Sequence, residues 1–239
     1  MLRTGRIYGN YVRIQKSPLV VAGVMRAAGC RPYMKGMNVN MIRNVIFDLG
    51  RVLLEYKPDQ IMKDMGVRES AIPDLMEKVF RDPIWNEFDR GTYKAKELHD
   101  LFSKRYPELS AELEVIFTLD FYDKLPLKED TLKFLVELKE KGYKIYFLSN
   151  FPPEGFELIE NKFDFFKLGD GKVISGYVKL IKPEPEIYQL LIDKYKLCPE
   201  ESVFFDDVPA NVEAAKKLGI NGIVFTGADS AREQFNRII

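Results

Sequence analysis

Asp48, Ser149-Asn150 and Asp206-Asp207 each stand at the end of a short apolar run: VIF before Asp48, YKIYFL before Ser149 and VFF before Asp206. Each run has the pattern of a buried strand. In an open parallel sheet the carboxyl ends of the strands share one edge, and ligands bind there. Groups far apart in sequence would meet at that edge, and Lys182, just ahead of a helix-like segment, is placed to join them. Clustered carboxylates repel, and each tends to keep its proton. A divalent cation removes that conflict. Oxygen ligands with no His or Cys nearby suit Mg2+, which keeps several waters and completes its shell with a substrate phosphate. A hydroxyl, backbone amides and a lysine around such a cation would hold a phosphoryl group. The chemistry favoured is phosphoryl transfer, with an aspartate able to attack as nucleophile.

Taken singly, each piece has an ordinary explanation. An Asp after a strand caps a turn or helix, Ser149-Asn150 is turn-forming, Lys182-Pro183 suits a solvated loop, and Asp206-Asp207 suits a helix N-terminus. The order and spacing of the pieces carry the reading.

The elements that must position these residues alternate along the chain. Val45–Phe47, Tyr143–Leu148, Val203–Phe205 and Ile220–Phe225 read as strands. Leu127–Lys141 reads as an amphipathic helix whose face is Leu132, Leu135, Val136 and Leu138, with Gly142 as its C-terminal cap. Helices are also expected over Glu184–Lys194, Pro209–Leu218 and Ser230–Ile238, the second with Pro in its first turn and Gly219 after its end. This alternation argues for an α/β fold, a Rossmann-like parallel sheet covered on both faces. Residues 58–122 are helical in tone, with a helix over 94–105 before Pro107, and contain no good strand. They read as an insertion after the first strand. The expected organisation is a core domain of 41–56 and 124–239 and an inserted α-helical cap domain of 57–123.

The chain of 239 residues is 46% hydrophobic and 30% charged, a composition typical of a soluble globular protein. Its formal net charge of zero conceals an asymmetry: residues 1–40 hold seven Lys or Arg and no Asp or Glu, leaving 29 basic against 36 acidic residues beyond them. An acidic body gives no reason to expect nucleic acid as a partner. No run approaches the roughly 18 apolar residues that span a bilayer, so no membrane role is expected. Two cysteines, Cys30 and Cys198, do not make a disulfide framework, and a cytoplasmic setting is the simplest expectation. The basic segment 1–40 is read as an upstream extension outside the fold, with a targeting presequence as the alternative. Oligomeric state is not legible.

Four stretches, FDLGRVL at 47–53, FLSN at 147–150, IKPEPEIY at 181–188 and VFFDDVPANVEAAKKLGI at 203–220, resemble in content and order the haloacid dehalogenase (HAD) superfamily of hydrolases. The insertion resembles the cap of that family's helical-cap branch. WNEFDRGTYKAKELHDLF at 85–102 is similar to the cap of the group that includes α-D-glucose-1-phosphate phosphatase, where an Arg-Gly pair precedes a helix. The resemblance implies a HAD-like core and an Mg2+-dependent phosphatase acting on a small phosphorylated metabolite, such as a sugar phosphate, through an aspartyl-phosphate. It implies that Asp48 attacks phosphorus, and that Asp48, the Gly50 carbonyl and Asp207 bind the metal, with Asp206 close by or acting through water. It further implies that Ser149 and the Asn150 amide hold phosphate oxygens, Lys182 offsets the charge of nucleophile and phosphate, and Asn211 orients the acidic loop.

Gly50 departs from the pattern in which an Asp two residues after the nucleophile donates a proton to the leaving oxygen, an effect worth roughly 10²–10⁴-fold. At this position glycine is expected to let the backbone turn and offer its oxygen. Water, Glu55 or an undemanding leaving group are the candidate replacements for the missing acid. Two other readings stay open: a non-catalytic module binding a phosphorylated metabolite or a protein, and a 2-haloacid dehalogenase, for which Asp206-Asp207 would be an unexplained liability. Arg90 is a candidate substrate contact from the cap, with an ordinary surface charge as the alternative. Trp85 is expected to pack within the cap or to line the pocket, and His99 to sit at the surface or rim.

Overall fold

The computed structural model describes residues 41–239; the segment 1–40, expected to lie outside the fold, falls outside the described residues. Five parallel strands form the sheet: β1 (Asn44–Phe47), β2 (Lys144–Ser149), β3 (Gly171–Ile174), β4 (Ser202–Asp206) and β5 (Asn221–Val224). Their order is β3-β2-β1-β4-β5. Phe47 of the central strand is in register with Phe147 on one side and Phe205 on the other, so the polar residues that follow emerge together at one edge.

Alternation along the strands divides the core. Val45, Phe47, Ile145, Phe147, Val203 and Phe205 face one layer, packing with Phe134 and Phe235. Ile46, Tyr146, Leu148 and Phe204 face the other, packing with Tyr188, Leu191 and Ala215. Both faces are therefore covered, as their near-continuous apolar character demands. Helix Glu129–Glu140 buries Thr131, Phe134, Leu135 and Leu138. Of the expected face, Leu135 and Leu138 are buried while Leu132 and Val136 are half-buried; the buried stripe is rotated to include Thr131 and Phe134, since 131, 134, 135 and 138 follow the helical repeat more closely. Gly142 caps this helix as expected, with φ +90; its N–H donates to the Lys139 carbonyl at 3.0 Å.

Three helices begin at a proline directly after the polar loops: Pro153–Lys162, Pro185–Tyr195 and Pro209–Lys217. Proline fits the first helical position, where its missing N–H would have no helical partner. It therefore fixes where each loop stops. Pro153–Lys162 and β3 lack a clear sequence signal: GKVI is an edge strand whose first two residues remain half-buried. Between β1 and β2 lies the helical insertion, running from Pro58–Asp64 to Leu119–Asp123. Among the described residues, no helix is long and apolar enough to cross a membrane.

Candidate active site

The three strand ends meet. Oxygen atoms of Asp48, Asp206 and Asp207 lie within 4.8 Å of one another. Lys182 Nζ stands 2.8 Å from Asp48 Oδ1 and 2.6 Å from Asp206 Oδ2, and the lysine side chain is only 1% exposed. It also donates to the Leu148 carbonyl at 3.0 Å. Asn150 holds this lysine's loop: its Oδ1 accepts from the Lys182 N–H at 2.8 Å and its Nδ2 donates to the Lys182 carbonyl at 3.0 Å. The Asn150 side chain is therefore committed to positioning Lys182, and only its backbone faces the role expected for its amide. Ser149 is buried beside Asp48, and its hydroxyl opposes the rise of that carboxyl.

Asp206 and Asp207 divide their work. Asp206 is fully buried; it accepts from Val208 N–H at 2.8 Å and from Asn211 Nδ2 at 3.0 and 3.1 Å, besides pairing with Lys182. Asn211 does orient the acidic loop. Asp207 faces the cavity with Arg51 at 3.6 Å. Burial pushes Asp48 above the usual carboxylate range, Lys182 opposes the rise and Asp206 adds to it. Burial, then Asp206, raises Asp207 as well, against Arg51 and Lys182. For Lys182 burial disfavours the ammonium, but Asp48 and Asp206 outweigh it and hold the group above its ordinary value. The carboxylates are under-compensated by one buried lysine, and Asp48 Oδ1 lacks a well-aligned hydrogen bond despite its proximity to Nζ. This all-oxygen donor set fits a hard divalent cation, with the Gly50 backbone on the same cavity wall.

Gly50 is not where the chain needs a special backbone. The left-handed residue is Arg51, at φ 58, and the following turn is closed by Leu53 and Leu54 N–H groups donating to the Leu49 carbonyl at 2.8 Å each. A Cβ on Gly50 would meet only Tyr56 Cβ, at 3.8 Å. The expectation that glycine serves the turn is thus corrected: the bend falls one residue later, and position 50 has room for a side chain.

Over this floor lies a cavity of about 400 Å³ walled by Tyr56, Met76, Phe80, Trp85, Tyr122 and Phe151. A single π-helical turn, Met76–Phe80, presents its two ends to it. Trp85 serves both expected purposes, lining the cavity and packing at a tilt against Phe80 with ring centroids 4.4 Å apart. His99 is part-buried against Phe117 and is not among the lining residues. Glu55 pairs with Lys57 at 3.1 Å and does not line the cavity.

Arg90 is also turned away from the cavity. Its guanidinium forks onto Glu184 at 2.8 and 2.6 Å and reaches Glu87 at 3.1 Å. It joins the insertion to the loop that carries Lys182, so the structure does not bring this expected substrate contact to the site. With Glu184 40% exposed, the forked pair contributes about 1 kcal/mol. Arg90→Ala should lower the unfolding free energy measured in urea by that amount, and an unchanged value would show the fork to be energetically idle.

The residues the sequence reading missed are Tyr56, Tyr122 and Asp89, all on the cavity wall. Asp89 had a signal: it directly precedes the Arg90-Gly91 pair that drew attention, at the end of the helix Ile84–Asp89.

Sheet, insertion and acidic floor together define an α/β protein whose candidate site lies between the carboxyl edge of the sheet and a helical cap. The family model of haloacid dehalogenase-like hydrolases matches residues 42–219, and the chain belongs to that family. It is 28% identical over 193 residues to a D-ribitol-5-phosphate phosphatase of Bacteroides thetaiotaomicron, covering 75% of this chain and 89% of that one. It is 27% identical over 201 residues to a drimenol cyclase of Aspergillus calidoustus, covering 83% of this chain but spanning only 37% of the cyclase. Its fold is similar to that of a HAD-family enzyme of Bacteroides thetaiotaomicron crystallised with magnesium and inorganic phosphate. The TM-score is 0.61 at 24% identity, covering 76% of this chain and 93% of the other.

Proposed function

We propose that the chain is a magnesium-dependent phosphatase acting on a small phosphorylated metabolite, a sugar phosphate or similar, through an aspartyl-phosphate on Asp48. The observation that carries this reading is the cluster of Asp48, Asp206 and Asp207 around a fully buried lysine at the floor of the cavity. The similarity to a ribitol-phosphate phosphatase supports the same class of substrate.

Asp48, Asp207 and the Gly50 carbonyl would hold the magnesium, with Asp206 keeping Lys182 and the loop in place. When bound, the ion neutralises charge shared by the aspartates and the phosphoryl oxygens. Asp48 attacks phosphorus. Ser149 and the Asn150 backbone amide orient phosphoryl oxygens, and Lys182 reduces the repulsion between two approaching anions. Positioning and charge are most of what this reaction requires. The aromatic cap wall excludes water and receives the leaving group.

The test is release of inorganic phosphate from a panel of sugar phosphates, with magnesium and with EDTA. Turnover should require magnesium, and Asp48→Asn should abolish it while leaving the melting temperature near that of the wild type. Wild-type turnover no greater than that of Asp48→Asn across the panel would overturn the enzyme reading and favour a phosphometabolite-binding module.

A further inference from the structure

We propose that Asp89, from the helical cap, is the general acid that protonates the leaving oxygen. This rests on the phosphatase reading above. Attack in line from Asp48 on the floor drives the leaving group toward the opposite, cap-side wall. A proton donor on that wall faces the leaving oxygen, and Gly50, from where an aspartate would otherwise reach it, has no side chain to offer.

The titratable and charged side chains around the cavity are few. Lys182 is tied to two carboxylates and a carbonyl. Asp207 belongs to the floor beside Arg51. Arg81 pairs with Glu77 at 2.6 Å, and a guanidinium does not give up its proton. Burial raises Tyr56 and Tyr122 far above the range in which a phenol is a useful acid near neutral pH. Asp89 remains. It lines the cavity, half-buried, and its carboxylate has no hydrogen-bond or ion-pair partner among the described residues.

Its backbone, by contrast, is firmly held. Ser175 Oγ donates to the Asp89 carbonyl at 2.5 Å. The next residue, Arg90, makes the fork to Glu184. The Lys179 ammonium donates to the carbonyl of Gly91. Gly91 sits at φ +74, where a Cβ would come within 2.5 Å of the Gly176 carbonyl oxygen; only glycine allows this approach. A cap residue with a free carboxyl is thus fixed against the segment that also carries Lys182. The Arg-Gly pair next to it supplies the attachment, which gives Arg90 a positioning role in place of substrate contact.

The electrostatics agree with the geometry. Burial pushes Asp89 up to about 7, with the charge of Asp48 adding to the rise and Lys182 opposing it. A carboxyl in that range is suited to proton transfer near neutral pH. In the first step Asp48 forms a bond to phosphorus, the ester P–O bond breaks, and the Asp89 proton passes to the departing oxygen, releasing an alcohol. Asp89, now a carboxylate, then takes a proton from the water that attacks the aspartyl-phosphate. The P–O bond to Asp48 breaks, phosphate leaves, and both carboxyls return to their starting states.

The experiment compares wild type and Asp89→Asn on two leaving groups, p-nitrophenyl phosphate and a sugar phosphate turned over by the wild type, with melting temperature as a fold control. An acid is needed most by the poorer leaving group. Asp89→Asn should lose 100-fold or more in kcat on the sugar phosphate and less than 10-fold on p-nitrophenyl phosphate. Equal losses on both, or no loss on either, would overturn the assignment. No magnesium-dependent turnover by the wild type on any substrate would overturn the phosphatase reading itself.

Discussion

Replacing Lys182 by methionine is expected to abolish turnover and to cost the metal-free protein about 3–5 kcal/mol of stability, the range for removing one member of a buried ionic group. Methionine fills most of the lysine's volume, so the loss is electrostatic. Asp206 is 0% and the Lys182 side chain 1% exposed, and removal leaves Asp48 and Asp206 facing each other without a cation. The wild-type contribution of Lys182 depends on pH with a definite sign. Its folded value is raised above 10.5, so its stabilisation is fully present below 10.5 and fades only as pH climbs through the higher folded value. Between pH 5 and 9 the wild type keeps it entirely. In Lys182→Met the orphaned carboxylates have to bind protons to relieve their repulsion, which they do more readily in acid. The deficit in urea midpoint should therefore be largest near pH 8 and shrink toward pH 5. Equal midpoints for the two proteins at pH 8 in EDTA would show that the lysine is not the cation on which the floor depends.

The legibility of this molecule follows the strength of its local signals. β1, β2 and β4 are apolar, central and bounded by polar residues, so both their identity and their convergence could be read directly. β3 could not: its four residues pair on one side only, and Gly171 and Lys172 are half-buried, so neither alternation nor a continuous apolar run marks it. The helix Pro153–Lys162 follows two consecutive prolines, which look like a loop until the second is recognised as a first helical residue. At the site the core residues were legible because each sits on the strand end or loop that its sequence context fixes. The cap residues were not. Asp89 reaches the cavity only through the packing of the insertion on the loop 175–184, a tertiary contact across 86 positions of sequence in the case of Ser175. Arg90 drew the attention owed to its neighbour, because a long cation next to glycine looks like a ligand for an anion, and its bidentate partner Glu184 lies 94 positions away.

Asp89→Asn should stabilise the metal-free protein at alkaline pH while impairing its turnover. The folded value of Asp89 is about 7 against an ordinary 3.8. A carboxyl raised on folding binds its proton more tightly in the native state, so its ionisation opposes folding. The cost is absent below 3.8, grows between 3.8 and about 7, and is complete above that. Three units correspond to an upper bound of about 4 kcal/mol. The side chain is half-buried on a cavity wall, and allowing for solvent screening leaves a cost on the order of 1–2 kcal/mol. Asparagine has the same shape and carries no charge, and it breaks no side-chain hydrogen bond or ion pair because Asp89 makes none among the described residues. In EDTA its urea midpoint should exceed that of the wild type at pH 8 and match it at pH 4. The opposite sign, a variant less stable at pH 8, would mean that ionised Asp89 is favourably held, which a proton donor at this wall is not. A carboxyl that strains the folded state and is needed only for turnover is the trade expected where function, and not stability, selects the residue.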